Sequence, residues 1–426
     1  MLLKYNMLAV LGAGIGLMNS VLVWKLFGTD INSDIWLLNV GIIAILSLLV
    51  LIGVEQFQVF YTEIYLRNKE DAADFLGGAF VWAIVSGLVF SAVCFVIVNA
   101  IMDGFAGGFG RQAKELAIPV FLILLIQVAF SPLLHVVRCT LNVHHYYGAS
   151  YCLSLILPLG QLLSLLVFIL LDEHDVIELA KWSSFSILVQ LVLYPLILIK
   201  WASFPKNIDT KFFISFIKNS FTMRIGHSFH NFFVGMILNN ALSYLAPGMI
   251  SVFQYAKKFS DGLAGVAIGP QANIYHARQA KAWVERDKKL FYVNVKVYLK
   301  NTLPIYIVGV FLVYFIMPWF LEILSEGRDA GSVIGIKFVF LALAAWQGII
   351  SIETIFAGVV VIAKRSMILW MVNGLFIISF FIAVKFIPND SSVWWLAIAG
   401  LLTQCLNFIF YAAFAWRLTN KHFSQR

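Results

Sequence analysis

Long apolar runs separated by short polar segments dominate the chain. A helix that crosses a bilayer needs about 20 predominantly apolar residues, because its backbone groups find partners only within the helix. Twelve segments meet that length: residues 6–26, 35–60, 74–100, 115–141, 147–171, 178–202, 216–240, 246–273, 297–321, 332–358, 365–387 and 392–416. The seventh and eighth are the least continuous, since polar residues interrupt both. The pattern predicts an all-α polytopic membrane protein of about twelve transmembrane helices.

The runs also repeat. Ile52-Gly53 at the end of the second span matches Ile268-Gly269 at the end of the eighth, an offset of 216 that also pairs Phe75 with Phe291; Ile101-Met102 pairs with Ile316-Met317 at 215. Short identities are cheap in apolar sequence, so the shared offset and the six spans on either side carry the inference. Residues 1–203 and 204–426 are expected to form two six-helix lobes, linked through the charged stretch from Trp201 to Lys211 around Pro205. Six being even, the halves would be related by an axis along the membrane normal, as in transporters built from parallel repeats.

Composition agrees with the pattern. The 426 residues are 61% hydrophobic and only 12% charged, with a mean hydropathy of +0.89, against about 25% charged in soluble domains. Lipid is the natural solvent for most of this surface. Cys94, Cys139, Cys152 and Cys405 lie in or at the ends of apolar segments with no CxxC, which points to neither a disulfide framework nor a metal site. The first span lacks a signal-type cleavage site and reads as an uncleaved helix.

The net charge of +8 mainly encodes orientation. With the N-terminus inside, Lys25, Arg111, Lys114, Lys181, Arg328, Lys337 and Lys385 face outward, Arg224, Lys257 and Lys258 fall within spans, and the other twenty cations lie inside. That bias places both termini in the cytoplasm. The richest cluster, Arg278 to Lys300, follows the eighth span and suits anionic membrane lipids. Nucleic acid is not the partner this basicity implies.

Charges at membrane depth are expensive and therefore candidates for function. Arg224, His227 and His230, three apart, fall at roughly 0°, −60° and −120° around a helix, one broad side suited to a cavity wall. Hydrogen bonding to neighbouring helices would explain the histidines equally well, and no nearby carboxylate completes a zinc set. In the eighth span Asp261 is four residues from Lys257 and three from Lys258, so one pair neutralises itself and one lysine is left over. Glu55 and Glu353 read either as proton or sodium sites or as interfacial acids, with the interfacial reading preferred for Glu353. Asp34 opens the second span, where capping alone would account for it. No GxxxxGK[ST] or Ser/His/Asp arrangement is present, and no cofactor is implied.

Phe27-Gly28-Thr29 followed by Asp34 resembles the outer turn of peptidoglycan lipid II flippases. Tyr255-Ala256-Lys257-Lys258 with Gly265-Val266-Ala267-Ile268-Gly269 is similar to that family's eighth span, and Gly53-Val54-Glu55-Gln56 resembles the end of span two in O-antigen and polysaccharide flippases. All belong to the multidrug/oligosaccharidyl-lipid/polysaccharide exporter superfamily. Lipid II flippases typically carry arginines in the first span and fourteen spans; here that span has no Arg and twelve spans are counted, which moves the weight to the polysaccharide-repeat branch. The resemblance implies two lobes that alternate between inward-open and outward-open states in a bacterial inner membrane. It further implies a polyprenyl-pyrophosphate-linked oligosaccharide as cargo, with polysaccharide-assembly proteins as neighbours and H+ or Na+ coupling. Lys258 takes the place of the functional basic residue, and Asp34 matches an acidic position at the outer mouth.

On this reading the cavity cations Arg224, Lys257 and Lys258, with His227 and His230, would bind substrate, while Asp34, Glu55, Asp261 and Glu353 would couple or gate. The protein is not expected to be an enzyme. Two rivals remain: a cation-coupled drug or metabolite exporter of the same superfamily, and a membrane glycosyltransferase or polymerase. The latter's acidic outer loop would have to be Asp172, Glu173 and Asp175.

Overall fold

The computed structural model describes residues 2–198, 200–203, 209–325, 330–363, 365–388 and 392–424. Among them the structure is helical, with no strand. In chain order the helices are α1 (Leu2–Phe27), α2 (Ile31–Val50), α3 (Phe57–Arg67), α4 (Lys69–Val96), α5 (Val98–Phe105), α6 (Arg111–Val143), α7 (Tyr147–Leu171) and α8 (Val176–Leu198). They continue with α9 (Thr210–Ser243), α10 (Met249–Ala267), α11 (Gly269–Val284), α12 (Lys288–Ser325), α13 (Ala330–Ile362), α14 (Ser366–Lys385) and α15 (Trp394–Ser424).

Among the described residues each expected span lies mainly on helix, with 35–60, 74–100 and 246–273 each divided between two helices. Among the described residues nine helical stretches are long and apolar enough to cross a membrane by themselves. Of the other three expected spans, α1 qualifies only as the shorter apolar stretch Gly14–Phe27, and α9 and α10 are the two segments whose polar residues interrupt the pattern.

Two compact units result: residues 31–240, and residues 1–30 together with 241–426. This partition differs from the expected 1–203 and 204–426 by the exchange of one helix in each direction. Packing supplies the reason. Trp24 of α1 meets Tyr255 of α10 edge to face, centroids 5.0 Å apart, and α1 also packs on α12. In the other unit the Ser228 hydroxyl of α9 donates to the Leu48 carbonyl (3.2 Å), and Phe216 packs on Phe57 and Phe75.

The repeat-matched dipeptides are both breaks. After α2 the chain tightens into a 3-10 turn at Leu51–Gly53 and restarts as α3 at Phe57. In the second unit α10 stops at Ala267 and α11 starts at Gly269. A short helix and a turn into a long helix follow each break. Phe75 is then buried in the aromatic core around Phe57 and Phe216, and Phe291 in that around Trp283.

Beside the first of these cores, the Tyr61 hydroxyl lies 2.9 Å from His144 Nε2, and the His144 ring stacks on Trp201 at 4.5 Å. Burial, with Lys200 and His145 nearby, holds this loop imidazole below the usual histidine range. A neutral ring suits that aromatic setting.

Candidate functional site

Helix α10 carries the centre of the site. Its buried side includes Ile250, Phe253, Tyr255 and Ala256, so the next residues, Lys257 and Lys258, emerge at the margin of the packed face. Lys257 Nζ binds the Asp261 carboxylate, one turn along the same helix. The other Asp261 oxygen accepts from Gln347 Nε2 of α13 (2.9 Å), which fixes the pair against the neighbouring helix. Lys258 is exposed and makes no ion pair among the described residues. The i,i+4 spacing thus selects Lys257 as the partner of Asp261 and leaves Lys258 outside that pair.

Two of the three motif windows of the sequence meet here. Gly28 takes a left-handed conformation (φ 65°), and its carbonyl accepts from the Tyr255 hydroxyl (3.4 Å). Gly248, at φ 90°, caps α10 against the same turn: a Cβ there would lie 2.3 Å from the Thr29 carbonyl oxygen. Only glycine admits both that φ and that approach. Phe27-Gly28-Thr29 and Tyr255-Ala256-Lys257-Lys258 therefore form one knot that sets the position of α10.

A second polar cluster surrounds Glu353 of α13. It is buried among helices, 9% exposed. Its carboxylate accepts from Gln404 Nε2 and from Asn407 Nδ2 at 3.2 and 3.3 Å, both on α15. Trp346 Nε1 in turn donates to Gln404 Oε1 (3.1 Å), and the Tyr411 hydroxyl donates to Asn373 Oδ1 (3.2 Å). Gly400 makes room: a Cβ would meet the Trp346 ring at 2.0 Å. Sequence reasoning missed Gln347, Gln404, Asn407 and Asn373. Their signal was available in part, since Gln404, Asn407 and Tyr411 recur at helical spacing on one side of α15.

Replacing Glu353 by alanine should leave the Gln404 and Asn407 amides without their acceptor inside the packed helices, at about 1–3 kcal/mol per orphaned group. A drop of several degrees in the thermal midpoint of the purified protein is expected. Glu353→Gln keeps one acceptor oxygen and should fall between alanine and the parent. A midpoint unchanged in the alanine variant would contradict the network.

The remaining candidates are scattered through the 31–240 unit. Asp34 is buried in the first turn of α2, 2% exposed, where Asn39 donates to the Ala117 carbonyl of α6 (3.2 Å). Glu55 sits at the break between α2 and α3, half-buried. His230 is half-buried on α9; the side chains of Arg224 and His227 on the same helix lie outside the described residues. Arg138 of α6, assigned by the charge census to the inside, is half-buried, and its Nε has no partner among the described residues. Among those residues no three His, Cys, Asp or Glu side chains come together to hold a metal.

The family model of lipid II flippase MurJ matches residues 23–270. The chain belongs to the MurJ lipid II flippase family. That match takes in the Gly28 turn, α10 and both lysines. Membership makes this MurJ-family protein a multi-pass flippase or transporter, not an enzyme. No curated protein matches the chain.

Among solved structures, lipid II flippase MurJ in an inward closed conformation superposes with a TM-score of 0.79, at 15% identity, over 99% of this chain and 90% of that one. A multidrug resistance MATE family transporter of the MOP superfamily, inward-facing, gives 0.73 at 14% identity over 95% of each. A MOP superfamily transporter from Pyrococcus furiosus gives 0.63 at 15% identity over 96% of each. These likenesses show the fold, one of about twelve transmembrane helices. Where the residues alone put the weight on the polysaccharide-repeat branch, the matching family model is that of the lipid II branch.

Proposed function

We propose that this protein flips a polyprenyl-pyrophosphate-linked saccharide across the bacterial cytoplasmic membrane by alternating access, with a surface-polysaccharide repeat of O-antigen type as its cargo. Family membership supports a lipid-linked cargo. The observation that carries the site is Lys258, a cation beside the self-neutralised Lys257–Asp261 pair. A pyrophosphate is strongly anionic, and a charge crossing the bilayer interior unpaired costs several kcal/mol; a fixed cation on α10 offsets part of that during the flip. Arg224, His227 and His230, on α9 of the other unit, are further candidates for contact with the cargo. The finer choice of cargo rests on the first span, which has no Arg where lipid II flippases typically carry several.

Coupling to H+ or Na+ is placed at Glu353. Asp261 is already neutralised by Lys257, whereas Glu353 is held by neutral amides, so its charge is free to change with the transport cycle. Asp34 and Glu55 take gating roles in the other unit.

Deletion of the gene followed by leaflet-resolved analysis of polyprenyl-linked intermediates tests the reading. Saccharide-repeat intermediates should accumulate on the cytoplasmic leaflet. Accumulation of lipid II instead would move the cargo to peptidoglycan precursors, and unchanged intermediates with altered drug sensitivity would overturn the flippase in favour of the exporter.

A further inference from the structure

Asp261 is held from two helices at once. One carboxylate oxygen takes Lys257 Nζ on its own helix, and the other takes Gln347 Nε2 from α13 (2.9 Å). Along α10 the i,i+4 spacing favours Lys257, yet Lys258 stands at i,i+3, where helical ion pairs also form. Packing does not settle the choice, because the Lys257 and Asp261 side chains are 43% and 37% exposed and neither is enclosed. The contact that holds the carboxylate in place comes from α13.

Gln347 stands on a fixed stretch of that helix. One turn before it the Ala344 carbonyl accepts from the Tyr306 hydroxyl of α12 (2.8 Å), and one turn after it the Ser351 carbonyl accepts from the Tyr298 hydroxyl (3.2 Å). Next to it in the chain, Trp346 Nε1 donates to Gln404 of α15 (3.1 Å). On its other side Gly348 lies against the Tyr306 ring, 3.5 Å from where a Cβ would stand. Helix α13 is therefore tied to α12 and to α15 around Gln347, and its amide meets Asp261 from a position that cannot slide.

The amide is also the right group for the place. It donates to a carboxylate while carrying no charge, so it orients Asp261 without taking over the role of Lys257. An arginine or lysine would neutralise the carboxylate itself, and an acid would repel it. With one oxygen turned toward α13, a single oxygen is left for a lysine of α10. The transport function assigns no part to Gln347.

We propose that Gln347 is a positioning residue that decides which lysine of α10 is paired: by holding Asp261 it keeps the carboxylate on Lys257 and leaves Lys258 outside the pair. Without that amide, Asp261 divides its time between the two lysines. The consequence for transport rests on the reading of Lys258 as a cargo contact; the choice of lysine does not, and it can be read without transport.

The test is the reactivity of the two ε-amines in the full chain in detergent. A carboxylate partner favours the protonated amine, which does not react with an anhydride. Limiting acetic anhydride should thus modify Lys258 several-fold faster than Lys257, as followed site by site with tandem mass spectrometry. In Gln347→Leu, which keeps the bulk and loses the donor, Lys258 should slow about twofold while Lys257 speeds up, so that their ratio falls at least threefold. The double variant Gln347→Leu/Asp261→Asn has no carboxylate to capture Lys258 and should return it to the parent rate, a rescue that mere distortion of α13 would not give. An unchanged ratio in Gln347→Leu, or a slowed Lys258 that the double variant fails to restore, overturns the proposal. Export of the lipid-linked cargo should fall several-fold in Gln347→Leu. Shifted reactivity with parent-level export would uphold the selection by Gln347 and count against Lys258 as the cargo contact.

Discussion

Lys258→Ala should reduce export of the lipid-linked cargo by about ten- to a hundredfold while leaving the amount of protein in the membrane unchanged. The magnitude follows from one charge-assisted hydrogen bond, worth about 1.5–3 kcal/mol, lost where the pyrophosphate must be held. Fold should survive, because Lys258 is exposed and makes no ion pair among the described residues. Lys258→Arg retains the charge and should retain part of the activity. Lys257→Ala is the informative comparison: it leaves Asp261 bonded to Gln347 but short of its cation, which adds an anion beside the cargo path. Surface polysaccharide, assayed with membrane protein levels by immunoblot, separates these outcomes. Parent-level export from the Lys258→Ala variant would remove the lysine from the cargo site.

Gly87→Ala should do the opposite, damaging the fold without touching the cargo site. Gly87 is buried where α4 crosses α6, and a Cβ there would lie 1.9 Å from the Ala129 carbonyl oxygen and 2.9 Å from its carbon. Both are backbone atoms of a long helix, so no side chain can turn aside. The helices must part, and Ala83, Leu133 and Val136, buried in the adjoining core, lose contact. A cost of about 3 kcal/mol, at the upper end for overpacked interiors, is expected. The measurement is thermal unfolding in detergent, with Gly374→Ala as the control, since nothing lies within 4 Å of a Cβ at Gly374. Equal midpoints for the two variants would contradict the close approach of α4 and α6.

The contrast between these sites shows what a single sequence carries. Spans were legible because backbone satisfaction in lipid demands long apolar runs. The Lys257–Asp261 pair was legible because it lies within one helix, where spacing alone decides contact. The matched Ile-Gly dipeptides located two helix breaks, since a local bend leaves a local mark. The partners of Glu353 were not legible for the converse reason: Gln404 and Asn407 are more than fifty residues away, and nothing in the α13 pattern says which face α15 covers. The same limit applied to α1, whose place in a unit depends on Trp24 finding Tyr255.

That placement of α1 has a consequence for biosynthesis. Helix α1 ends at Phe27, and its first packing partner, α10, begins at Met249. At about 5–20 residues per second, a ribosome needs on the order of 10–45 s to make the intervening chain. Throughout that interval α1 is in the bilayer without its final neighbours, while the whole 31–240 unit can be inserted and packed. The 31–240 unit can therefore be complete before α1 gains its partners α10 and α12.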